Sequence, residues 1–250
     1  MTRAAIAALL AVTQASVMVA QVPAARRNFV ACPIVRDTKT APCWLAEYQG
    51  EVYFLGVQSG VAGDFYPPQL SHQALVEGTV TEGPRVCGGI PLRPVKVSVL
   101  EEIATACNTM LPAEDGIEAP AAPRSPGIGK APSWVKTEGT DRTTLYFDFD
   151  QDFLSVHSLT ALTNIANAAK QAKSARVEVT GYRGATLLSG GEIMRERADM
   201  GEVRSRKVGA ILVGLGIPET SVAVVAPGEN AKPDGVNDPW SRRVVIVVKP

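Results

Sequence analysis

Apolar residues recur at helical spacing most clearly between residues 199 and 215. There Val208, Ile211, Leu212 and Leu215 share one face of a predicted helix. Asp199 followed by Glu202 reads as an N-cap with its capping-box partner, Gly216 supplies a left-handed end, and Pro218 forbids continuation. Arg204 lies in the second turn, beside the apolar stripe. Leu159, Leu162, Ile165, Ala166 and Ala169 mark a second helix. Strand patterns stand at Leu145 to Phe149, Arg176 to Thr180 and Val222 to Val225, and two arginines lead into a β-prone run at residues 241–248. The order β-α-β-α-β-β predicts an α+β domain over 141–250, with helices packed on a mixed sheet.

Residues 29–111 lack helical periodicity and read as a small β-rich domain. Cys43 to Tyr48 and Val52 to Val57 flank Gln49-Gly50-Glu51, a hairpin signal. Ala74 to Val80 and Val95 to Leu100 are further strands, and Glu101 to Cys107 is predicted to be helical. Short strands with one terminal helix suit a small, partly open barrel, OB-like in kind. Trp44, Tyr48, Tyr53, Phe54, Phe65 and Tyr66 are there either to fill its core or to line a groove. From 112 to 140 the composition shifts to Pro, Ala, Gly and charge, which predicts a linker.

The chain has 250 residues, with 25 basic and 25 acidic side chains, so no basic excess points to nucleic acid. Its first residues change the picture. Arg3 precedes an alanine-rich apolar run from Ala4 to Ala20, the pattern of a secretory signal over 1–24 with cleavage between about Ala20 and Ala25. Export gives the four cysteines a meaning. Cys32, Cys43, Cys87 and Cys107 form an even set in one small domain, and two disulfides are expected. Zinc is the competing use, but no C-x-x-C pair or suitably spaced His is present. Three connectivities are open. The sequential pairing, Cys32–Cys43 and Cys87–Cys107, closes the shortest loops.

Five pieces of the C-terminal region stand in a recognisable order: Phe147-Asp148-Phe149-Asp150, Val177 to Tyr182, the Arg204 helix ending in Gly216-Ile217-Pro218, Gly228-Glu229, and Arg242-Arg243-Val244. In that order they resemble the OmpA-like, peptidoglycan-associating domain of Gram-negative envelopes, over about residues 143–250. The resemblance implies a cleft that holds the two charged ends of a peptidoglycan stem peptide with one Asp and one Arg. Arg204, twelve residues before Gly216, matches the arginine. The Asp position, two after Tyr182, holds Gly184, and Arg183 beside it disfavours a cation. Tyr182, Arg183, Gly184, Arg204 and Arg243 are therefore the candidate ligand-binding residues.

The connection after Gly184 is longer than the family's and reads as a hairpin turning at Gly190-Gly191. It offers Glu192, Glu196 and Asp199 as replacements for the missing carboxylate. Asp148, Asp150 and Asp152 do not continue into a calcium loop, since Phe153 and Leu159 stand where Gly and Glu are needed. No nucleophile–base set or phosphate loop is visible, so neither an enzyme nor a cofactor is expected. Two functions remain. One is a periplasmic or outer-membrane-associated protein that binds wall weakly, through a peptidoglycan stem peptide or another carboxylate. The other is a domain that has lost wall binding and serves as a scaffold for envelope proteins.

Overall fold

The computed structural model describes residues 25–58, 65–121, 135–139, 141–172, 176–225 and 231–249. The candidate signal over 1–24, the centre of the expected linker and Gly228-Glu229 lie outside them. No helix among the described residues is long and apolar enough to cross a membrane.

The N-terminal half contains strands β1 (Arg26–Ala31), β2 (Pro33–Arg36), β3 (Cys43–Tyr48), β4 (Glu51–Val57), β5 (His72–Val80), β6 (Ile90–Ile103) and β7 (Thr109–Leu111). Strands β1 and β2 are one bent run: the first half pairs with β5, the second with β3. The long β6 works likewise, parallel to β4 at Ile90 and Pro91 and antiparallel to β5 beyond them. The pairings thus form a closed ring, β1/β2 to β3 to β4 to β6 to β5 and back. Phe29, Trp44, Ala46, Tyr53, Leu55, Val76, Leu92 and Val97 fill it. Cys43, Leu45 and Phe54 point outward, yet are covered by Val86, Ile117 and Ala119. Two buried faces explain why β3 reads as a continuous apolar run.

Two expectations fail here. Residues 101–107 are not a helix: β6 runs on to Ile103, which pairs with His72, and Ala104 N–H bonds Ser71 O at 2.7 Å. The disulfides are Cys32–Cys107 and Cys43–Cys87, not the sequential pair. Strand β7 lies parallel to β2, which brings Cys107 to the β1–β2 bend at Cys32. The turn at Val86 to Gly89 reaches the start of β3 at Cys43. Ring closure, not loop length, decides which thiols meet. The bridges span 75 and 44 residues, and each should contribute roughly 2–4 kcal/mol. A Cys43→Ala/Cys87→Ala variant should lose about that much in urea titration, and native protein should show no titratable thiol.

The C-terminal half comprises β8 (Val135–Glu138), β9 (Arg142–Tyr146), α1 (Val156–Gln171), β10 (Arg176–Tyr182), β11 (Ala185–Leu187), β12 (Ile193–Arg195), α2 (Met200–Gly214), β13 (Val222–Val225) and β14 (Arg243–Lys249). The five-stranded sheet has the order β13-β10-β14-β9-β8, parallel only between β10 and β13. Leu145, Val177, Val179, Val244 and Ile246 meet Leu162, Ile165, Val208 and Leu212 of the helices. This is the α+β layering expected. Residues 135–138, expected in the linker, are instead the edge strand β8, because buried Val135 pairs opposite Leu145.

Helix α1 is capped by Ser155, whose side chain accepts from Ser158 N–H. The box expected on α2 is not made: Asp199 forms no side-chain cap bond, and Glu202 pairs with Arg206. What fixes the start of α2 is close approach. A Cβ on Gly181 would lie 1.8 Å from Gly201 O, so only glycine lets α2 sit this low on β10.

Candidate functional site

Arg204 stands one turn into α2 and is completely buried. A guanidinium has five N–H donors, and all five are engaged. Nε donates to Gln151 O (2.8 Å), Nη1 to Tyr182 O (3.3 Å) and Glu196 Oε2 (2.9 Å), and Nη2 to Asp148 O (2.9 Å) and Glu196 Oε1 (2.6 Å). The group also lies 5.0 Å over the Phe147 ring. Glu196 is equally saturated, since its Oε1 accepts Asp150 N–H (2.8 Å) and its Oε2 accepts Gly184 N–H. The carboxylate that faces Arg204 thus comes from within the chain.

Burial pushes the Glu196 carboxyl up, but the hydrogen bonds and charge of Arg204, joined by Arg242 and Gly184 N–H, outweigh it and hold the group below its ordinary value. It stays ionised.

Of the three candidate carboxylates, only Glu196 reaches the cleft; Glu192 and Asp199 are exposed. It follows directly on strand β12 of the hairpin expected between 185 and 195, in which Ala185 pairs with Arg195. Glu196 N–H then returns to Gly184 O at 3.2 Å. Glu196 and Arg204 thus close on one another as a fully buried pair.

Tyr182 contributes a carbonyl to Arg204, while its ring lies 4.4 Å beneath the guanidinium of Arg243. Arg243 is therefore not in the cleft; β14 turns it to the other face of the sheet. Arg183, Gly184, Ala185, Arg195 and Ala231 border a remaining hollow of about 40 Å³.

The N-terminal barrel roofs this region. Asn28, Glu77 and Lys96 are cross-strand neighbours on β1, β5 and β6, and point out of the barrel. Glu77 receives Arg242 through both Nη1 (3.2 Å) and Nη2, and Thr186 Oγ1 at 2.8 Å; the Glu77 and Arg242 side chains are fully buried. Asn28 donates to Leu187 O (2.9 Å) and Gly235 O (2.8 Å) and accepts from Arg26 Nε (3.1 Å). Ser98 Oγ accepts Phe149 N–H at 3.0 Å. Lys96 Nζ stands 3.5 Å from Asp148 Oδ1, at the outer limit of a hydrogen bond. Sequence pattern marks Arg243; its neighbour Arg242 is the one that reaches into the barrel, to a partner 165 residues away. The one available signal was Glu77, a charge inside an otherwise apolar strand.

Two predictions follow from this packing. A Cβ at residue 184 would lie 2.5 Å from Arg242 Cγ and from Ser241 Oγ. Gly184→Asp, which would restore the family's residue by sequence, should instead lower stability by about 1–3 kcal/mol, read as a fall in Tm, with no gain in wall retention. The second concerns Lys96, whose burial lowers it to about 8 from 10.5, against the opposing charge of Asp148. Between those values the unfolded chain binds the extra proton, so this group adds stability as pH rises. Urea titrations at pH 7.5 and 9.5 should show the increase in wild type and its absence in Lys96→Met.

No family model and no curated protein matches the chain. Among solved structures it is similar to OmpA-like domains. That of FopA1 from Francisella tularensis is 23% identical, covering 46% of this chain and 79% of that one, at a TM-score of 0.34. The periplasmic domain of MotB from Helicobacter pylori is 16% identical, over 46% and 80%, at 0.35. The peptidoglycan-associated lipoprotein from Burkholderia pseudomallei is 20% identical, over 42% and 89%, at 0.34.

Proposed function

We propose that this protein is a non-catalytic component of the cell envelope, exported to the periplasm, whose OmpA-like domain serves as a protein–protein scaffold and does not grip the wall through its cleft. One observation carries the proposal: every donor of Arg204 and every lone-pair direction of Glu196 is used inside the molecule. A stem-peptide carboxylate would have to displace Glu196 from a buried pair, a loss of roughly 3–5 kcal/mol. It would also have to pass the barrel that bonds to Phe149 and Gln151. The barrel's strand circuit supports an OB-like kinship, and the two disulfides support an oxidising compartment.

Sedimentation with purified sacculi tests the proposal. Wild type should stay in the supernatant under conditions that pellet an OmpA-like domain having both the Asp and the Arg. Saturable retention of wild type that persists in Arg243→Gln would favour weak peptidoglycan binding through the cleft instead.

A further inference from the structure

The face of the C-terminal sheet turned away from the helices carries a different arrangement. Across β9, β14 and β10, Tyr146 stands opposite Arg243, and Arg243 opposite Tyr182. The three form one row, aromatic, cation, aromatic. Trp240 extends it, packed edge-on against Tyr146 with ring centroids 5.0 Å apart and 38% exposed.

At the far end of the same face the charges neutralise one another. Lys249 pairs with Glu178 at 2.7 Å, and Arg142 with Glu138 at 3.3 Å. Arg243 differs. Its guanidinium lies on the Tyr182 ring and donates once, to Trp240 O at 3.2 Å, and no carboxylate among the described residues pairs with it. A half-exposed guanidinium backed by a ring, with most of its donor fork free, is prepared for an anion.

We propose that this row is a saccharide-binding face that takes a pyranose bearing a carboxylate. Three strands about 4.8 Å apart make a platform roughly 10 Å across, the scale of one or two sugar rings. The Trp240 ring offers apolar surface to the C–H face of a pyranose, and Tyr and Trp add polar edges. Arg243 supplies two parallel donors for the carboxylate, which a neutral sugar cannot use. The row lies on the opposite side of the sheet from Arg204 and Glu196, so it can be occupied while that cleft stays filled. The inference therefore does not depend on the scaffold reading.

The test is an NMR titration of the full chain, following the Trp240 indole N–H, assigned with Trp240→Phe. The probes are the peptide-free disaccharide of N-acetylglucosamine and N-acetylmuramic acid, and neutral chitobiose. The acidic sugar should shift the Trp240 signal saturably and bind at least tenfold more tightly than chitobiose. Trp240→Ala and Arg243→Gln should each weaken it at least tenfold, and Arg243→Lys by less. Equal affinity for both sugars, an unmoved Trp240 signal, or unchanged binding by the variants would overturn the proposal. Should a variant fail to fold, the acidic-against-neutral comparison on wild type still decides.

Discussion

Arg204→Ala is expected to cost the C-terminal domain about 3–5 kcal/mol, because it leaves the Glu196 carboxylate buried without its counter-charge. It also orphans the carbonyls of Asp148, Tyr182 and Gln151, which now accept from the guanidinium. A ligand-binding arginine at a cleft mouth would behave otherwise: its removal would abolish binding and leave folding nearly unchanged. The paired variant Arg204→Met/Glu196→Leu removes both charges and should recover most of the loss, within about 1–2 kcal/mol of wild type, since buried ion pairs are often replaceable by apolar groups of similar volume. Urea titration of the two single variants and the double variant gives the coupling energy directly.

Glu77→Ala is the second large effect. Glu77 and Arg242 are both fully buried, one on each half of the molecule, and Thr186 bonds the same carboxylate. Cutting the pair strands Arg242 in the interface, again at about 3–5 kcal/mol. The loss falls on the contact between the halves, since Phe29, Val76 and Leu92 still fill the barrel and Leu145, Val179 and Leu212 still fill the other core. Calorimetry should therefore show one cooperative transition in wild type and two in Glu77→Ala. A single transition displaced to lower temperature would mean that the halves do not melt as separable units.

Much of the C-terminal half was legible because its signals are local. The spacing of Val208, Ile211 and Leu212, the stop at Gly216, and the β-prone run after Arg243 each report on a few neighbouring residues. The Gly190-Gly191 hairpin was readable for the same reason. What stayed hidden depends on partners distant in the chain. Cysteine spacing cannot show that β7 runs back beside β2, so loop length favoured the wrong bridges. Glu101 and Glu102 resemble a helix start, but the pairing of Ile103 with His72 overrides local preference. Glu196 was one of three acidic candidates, and only the hairpin's register separates it from Glu192 and Asp199. Its pairing with Arg204 inside the chain is equally invisible in the spacing of the acidic residues. Sequence showed an arginine without its partner aspartate; the fold shows that arginine already satisfied.

The most direct measurement is the Arg204 side-chain Nε–H resonance during titration with meso-diaminopimelate. A proton held between buried Nε and Gln151 O should give a sharp, slowly exchanging signal that does not move as the ligand is added. Glu196 should likewise keep its carboxylate signal down to a pH below the ordinary carboxyl range. A saturable shift of the Arg204 signal at sub-millimolar ligand would contradict the account, because it would mean that Glu196 yields its place and the cleft is open to the wall.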